Sequence, residues 1–346
     1  MSVPVGRSPV MADVARLAGV SHQTVSRVLN GHPNVRSETQ TRVQSAIEEL
    51  GYRRNSSARA LVTRRTGVIG VVAFDTTHYG PAQTLSGIEH AARADGYFLS
   101  VVTLQTVTRE AVSEAMDYLA QQSVEGYIVI APKRAVVEGL AGQPADRPVV
   151  AVEGGEAPDL PVVCVDQEGG GYLATRHLLD LGHRTVHHIA GPDDWLESEG
   201  RIAGWRRALA EAGVEEPDAL YGDWRPRSGY RIGAQLAGDP DVSALFVAND
   251  QMALGALRAL GEAGVRVPDD VSVVGFDDIP ESEFFTPPLT TVAQDFSDVG
   301  RRGIELLIDM LEAPAGATSP HTARSVVPAR LVARVSTAPA PDPDRA

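Results

Sequence analysis

Two groups of side chains in this chain suit recognition by hydrogen bonding. The first is compact: Ser21, His22, Gln23, Thr24, Ser26, Arg27 and Asn30 lie within ten residues. Gln reads adenine and Arg reads guanine through paired contacts in a major groove. On a helical projection His22, Gln23, Ser26 and Arg27 face away from Val25, Val28 and Leu29. The second group is dispersed. Phe74-Asp75, Glu153, Trp224, Asn249-Asp250 and Asp277-Asp278 each close a run with strand character. Open parallel sheets bind ligands at the C-terminal ends of their strands. The sequence has no G-x-G-x-x-G after a strand, no G-x-x-x-x-G-K, no H-E-x-x-H and no G-x-S-x-G. No enzyme and no cofactor is therefore expected. His187 and His188 would point to opposite faces of a strand. With His183 they read as structural or surface histidines, and no metal site is expected.

The elements that must hold these residues follow from periodicity. Residues 12–17 form a short helix with Val14 and Leu17 on one face, stopped by Gly19, which suits a left-handed C′ position. Ser21 stands where the cap of a second helix, about 22–29, belongs. Such a pair presents the N-terminal residues of its second helix to DNA bases; the alternative is an ordinary surface helix pair. A third helix begins at Ser37-Glu38, carries Val43, Ile47 and Leu50, and ends at Gly51, completing a head over 1–52. Residues 53–65, RRNSSARALVTRR, hold five arginines and read either as a solvated basic linker or as a segment that orders on DNA. In the second case Asn55 or Ser56 caps a short helix with Ala58 and Leu61 on one face, and Leu61 can wedge into a minor-groove step.

From Gly67 onward strands alternate with helices in two series. Strands are expected at 67–74, 97–104, 126–132, 148–153 and 161–166, then at 185–191, 218–224, 244–250 and 271–278, with helices near 82–95, 109–121, 169–181, 198–212, 227–237 and 251–263. This predicts an α/β body of two subdomains, each a parallel sheet flanked by helices. Strand-end Asp and Asn also cap helices, and Asp250 is expected to cap the helix at 251–263.

Charge divides the chain in the same place. The formal net charge is −14, yet residues 1–65 contain ten arginines and four acids, a net of +6 that leaves −20 for the rest. A basic head on an acidic body points to a head that meets phosphates. A single cysteine, Cys164, excludes an intramolecular disulfide. No apolar run is long enough to span a membrane, and MSVPVGRSP lacks the apolar core of a signal peptide. A cytoplasmic, nucleoid-associated location is expected, with no membrane partner.

DVARLAGVSHQTVSRVLNG in the head, RRNSSARAL after it, and LGHRTVHHIAGP, GDW, SALFVANDQMALGALRAL and VSVVGFDDIPESEFFTPPLTTVAQDF in the body resemble the lactose-repressor (LacI/GalR) family of transcription regulators over essentially the full length, with a body closest to the lactose-repressor type. The resemblance implies a homodimer whose heads read the half-sites of a palindromic operator through His22, Gln23 and Arg27, with Leu61 at the central minor-groove step. Arg54 stands where many relatives have proline.

It implies a periplasmic-binding-protein-like body, 66–338, whose N-subdomain is about 66–165 and 296–326 and whose C-subdomain is about 166–295 and 327–338, joined by three crossovers, with 339–346 a disordered tail. By motif match Arg201 would clamp sugar hydroxyls, Trp224 would stack on a pyranose face, and Asn249, Asp277, Gln294 and Phe296 would line the cleft. Glu153, where the lactose-repressor type has a shorter aspartate, and Pro81 are further carry-overs; Ile130 replaces an asparagine. The function implied is repression of sugar-utilisation genes, relieved by a galactoside or other oligosaccharide. The alternatives are a corepressor-dependent or activating regulator and a sugar-binding module without DNA function. A tail without leucine heptads predicts a dimer and no tetramer.

Overall fold

The computed structural model describes residues 9–29, 32–52, 65–106, 108–140, 147–153, 160–314 and 324–341. The chain divides into two compact units, 1–66 and 67–346.

In the head, α1 (Met11–Ala18) ends at Gly19, whose φ of 65° only glycine adopts without cost. The next helix, α2 (His22–Leu29), begins at Ser21, whose Oγ accepts the Thr24 N–H at 3.1 Å. The third, α3 (Ser37–Leu50), crosses both. Val14, Val25, Val43, Ala46 and Tyr52 form the buried core. Leu17, expected beside Val14, is 45% exposed. Three residues fall short of a full helical turn, which turns Leu17 toward the rim of so small a core.

The body runs in chain order through β1 (Val68–Phe74), α4 (Tyr79–Ala94), β2 (Phe98–Leu104), α5 (Arg109–Gln121), β3 (Gly126–Ile130), α6 (Arg134–Leu140), β4 (Val149–Val152) and β5 (Val162–Val165). It continues through α7 (Gln167–Asp180), β6 (His187–Ala190), α8 (Leu196–Ala212), β7 (Leu220–Tyr221), α9 (Pro226–Leu236), β8 (Ala244–Val247), α10 (Asp250–Glu262), β9 (Ser272–Asp277) and β10 (Thr290–Ala293). It closes with α11 (Phe296–Glu312), β11 (Arg324–Val327) and β12 (Arg330–Val332). One sheet has the order β11-β5-β4-β3-β1-β2 and the other β12-β10-β9-β8-β6-β7. All pairings are parallel except β10 with β12. The chain passes between the sheets three times, after Val165, Ala293 and Val327.

Central strands such as β1, β3, β8 and β9 are buried almost throughout, because helices cover both faces of a parallel sheet. The expected strand at 218–224 is only two residues long, since the chain turns away before Trp224. Helix α6 was not signalled in the sequence; Lys133, which precedes it, has no side-chain acceptor to cap its free N–H groups. Within the expected disordered tail, 339–346, Ala340 is packed, its N–H donating to the Leu181 carbonyl at 2.9 Å. Just before the tail, the fully buried Ser336 hydroxyl donates to the Val273 carbonyl and accepts the Thr290 N–H. His188 is buried between Trp205 and Phe246, with Nδ1 at 2.9 Å from the Phe246 carbonyl oxygen. Burial drives its pKa down to about 3.

Candidate ligand cleft and nucleic-acid interface

All eight residues assigned to the effector site, Pro81, Glu153, Arg201, Trp224, Asn249, Asp277, Gln294 and Phe296, line one cavity of the body. They arrive there from strand ends and from the first two turns of the helices that follow. Glu153, Trp224 and Asp277 have φ of 60°, 67° and 108°. Such backbone costs a non-glycine residue of order 1–3 kcal/mol and gathers at ligand sites. Gly191, after β6, makes room for Trp224: a Cβ there would lie 2.1 Å from Cη2 of the indole.

The polar wall is a closed network. Arg201 Nε donates to Gln167 Oε1 at 2.9 Å, Nη1 donates to the Ala248 carbonyl, and Nη2 lies 3.5 Å from Asp277 Oδ1. Gln294 Nε2 donates to Asp277 Oδ1 at 2.7 Å, and Gln167 Nε2 donates to Gln294 Oε1 at 2.8 Å. The guanidinium also lies 3.9 Å from the Phe276 ring centre and 5.4 Å from that of Trp224. A fork fixed on so many sides is preorganised, so little ordering cost remains for a ligand. Burial pushes the Asp277 carboxyl up to about 6, with Arg201 and Gln294 pulling the other way. Burial takes Glu153 to about 7.

Asn249 caps α10, with Oδ1 accepting the Met252 N–H at 2.9 Å, while Nδ2 donates to the Trp224 carbonyl at 3.1 Å and to Gln251 Oε1 at 2.8 Å. The expected cap, Asp250, is instead fully buried in the first turn, where it accepts from the Thr291 hydroxyl at 2.6 Å and the Ile279 N–H at 2.9 Å. The reason is register: the side chain one residue before the helix reaches back to its free N–H groups. Asn249 thus fixes the helix and the Trp224 backbone together.

The apolar wall is larger than the sequence indicated. Trp195 meets Trp224 edge to face at 5.6 Å and Phe74 at 6.4 Å, and Tyr79 meets Phe296 at 5.9 Å. Trp195, Glu197, His78, Tyr79 and Gln167 line the cavity and were not anticipated. Applying the strand-end rule to β6 would have nominated the loop Gly191–Trp195, and Glu197 stands four residues before Arg201 on the same helix. Of the other strand-end nominees, Asp75 bonds the Thr77 hydroxyl and lies 3.2 Å from His78, and Asp278 pairs with Arg334 at 2.7 Å. Ile130 is buried in the first sheet's core.

In the head, Ser21, His22, Gln23 and Arg27 are exposed while Val25 on the same helix is fully buried. Thr24 and Ser26 are half-buried, and the Thr24 hydroxyl lies 2.9 Å from that of Ser21. Asn30, Asn55, Ala58 and Leu61 lie outside the described residues.

Residues 10–55 match the family model for bacterial regulatory proteins of the lacI family, and residues 175–337 match a periplasmic-binding-protein-like domain. The lactose operon repressor of Escherichia coli (strain K12) is 33% identical over 328 residues, covering 94% of this chain and 89% of that protein. The chain belongs to the LacI family. Among solved structures of the family, a Lac repressor dimer bound to operator and the anti-inducer ONPF has 32% identity and a TM-score of 0.83, covering 96% of this chain and all of that one. A complex of the transcriptional regulator CelR with cellobiose has 34% identity and a TM-score of 0.69, covering 95% and 99%. The fold expected from the sequence, a helix-turn-helix head on a periplasmic-binding-protein-like α/β body, is the one found. Among the described residues no helix is long and apolar enough to cross a membrane.

Proposed function

We propose that this LacI-family member is a transcriptional repressor that acts from the cytoplasm, does no chemistry on its ligand, and leaves its operator when a neutral saccharide enters the cleft. The observation that carries this reading is the make-up of the cleft. A preorganised guanidinium–carboxylate–amide network faces aromatic rings, which suits a molecule with polar hydroxyl edges and an apolar ring face. Solved structures of relatives include a complex with a sugar, cellobiose, and one with operator DNA.

His22, Gln23 and Arg27 read the operator half-site, supported by Ser21, Thr24, Ser26 and Asn30. Asn55, Ala58 and Leu61 act at the centre of the operator. A second copy of the chain supplies the other half-site. The test is a thermal-shift screen of cellobiose, lactose and other galactosides, followed by footprinting of the protein on DNA with and without each hit. Stabilisation by one of these sugars, with loss of its footprint, is the expected result. A footprint that strengthens with the sugar would overturn the repressor-release reading.

A further inference from the structure

Glu197 is the second residue of α8, and Arg201 follows one turn later. At this spacing a carboxylate and a guanidinium ordinarily meet on a helix surface. Here Arg201 turns to Gln167, Ala248 and Asp277 instead. Glu197 is 8% exposed and lines the cavity, yet its buried Oε2 has no hydrogen-bond partner. Glu153 lines the same cavity at 6% exposure, with Thr84 at 3.4 Å from Oε1 and no partner on Oε2. Buried acceptors without partners are costly, and they are retained where something else completes them.

We propose that Glu197, together with Glu153, forms a second hydrogen-bonding edge of the cleft, separate from the Arg201–Asp277–Gln294 edge, and that this edge selects saccharides by the hydroxyls they present to it. The inference rests on the saccharide reading above and adds to it: the ligand is a neutral sugar ring with free hydroxyls on two edges, its face against the indole of Trp224. A carboxyl suits this task in either protonation state, since a hydroxyl both donates and accepts. Burial, reinforced by the neighbouring Glu153 charge, holds the Glu197 proton on well above the usual carboxylate range.

The test is calorimetric titration of the full-length protein with cellobiose, lactose and methyl galactosides, and then with monodeoxy analogues of whichever sugar binds. Glu197→Ala should weaken the parent sugar about 10- to 100-fold. One deoxy analogue should bind wild-type protein weakly and lose nothing further in Glu197→Ala, because the hydroxyl that the carboxyl reads is already gone. Glu197→Leu fills much of the same volume with no polar atom, so the same comparison can be made if the alanine variant does not fold. Equal weakening of the parent and of every deoxy analogue, or no weakening, would overturn the inference while leaving the saccharide reading in place. Wild-type protein that binds none of these sugars would overturn both.

Discussion

Gly191→Ala is the substitution whose consequence follows most directly from the coordinates. The added Cβ would lie 2.1, 2.3 and 2.6 Å from Cη2, Cζ2 and Cζ3 of Trp224. Carbon atoms settle near 3.5–4.0 Å apart, so the indole or the Gly191 backbone must move by roughly 1.5 Å. The ring is not free to do so. It abuts Trp195 at 5.6 Å and the Arg201 guanidinium at 5.4 Å, and the backbone carbonyl of Trp224 accepts from Asn249 Nδ2. Overpacking of this kind costs about 1–3 kcal/mol. For a unit of this size that lowers the body's melting temperature by roughly 2–10 °C. A displaced platform no longer fits a sugar face, and affinity should fall by about tenfold or more, some 1.4 kcal/mol. The assay is melting and sugar titration of the purified variant, with operator binding as the control that stays intact. A variant that melts and binds sugar like the wild type would refute the assignment of Trp224 as a fixed platform.

Other outcomes follow from the same geometry. Arg27→Ala should cost about 1–3 kcal/mol of operator affinity and relax one base position; equal binding to every operator variant in a mobility-shift series would contradict this. Asn249→Ala removes the α10 cap and the bond to Trp224, and should lower stability by about 0.5–2 kcal/mol in denaturant unfolding, with weakened sugar binding. The carboxyl of Glu153 is raised to about 7 by burial, so the native state holds a proton that the unfolded chain releases near 4. Its contribution to stability is therefore present below about 4 and is lost as pH rises through about 7. Glu153→Gln cannot ionise, and its melting temperature relative to wild type should rise between pH 5 and pH 8; a pH-independent difference would mean that the buried carboxyl does not titrate there.

Much of this was legible in the sequence where local physics and burial agree. Gly19, Ser21 and the apolar positions of α2 define the helix pair by themselves, and short continuous apolar runs such as residues 68–74 and 244–247, bounded by turn residues or helices, read by their length as strands covered on both faces, as the structure has them. Less was legible where tertiary contacts decide. The short strand Leu220–Tyr221 depends on Trp224 leaving the sheet line at positive φ. The choice of Asn249 over its neighbour as cap turns on a register of one residue. Trp195 and Glu197 lie after a strand end in a loop and a first helical turn whose periodicity gives no hint of a cavity. Their role emerges only when β6 and α8 set them beside Trp224, Glu153 and Arg201.

Coupling between cleft and operator is best measured as the operator affinity of wild-type protein and of Trp224→Ala, by fluorescence anisotropy, with and without a sugar that binds the wild type. A sugar that prefers the released state by about 2–3 kcal/mol should weaken operator binding roughly 30- to 150-fold in the wild type. It should have no effect on Trp224→Ala, whose affinity without sugar stays that of the wild type. Operator affinity unchanged by a saturating sugar, or a Trp224→Ala protein that still responds, would contradict the proposed release through the cleft.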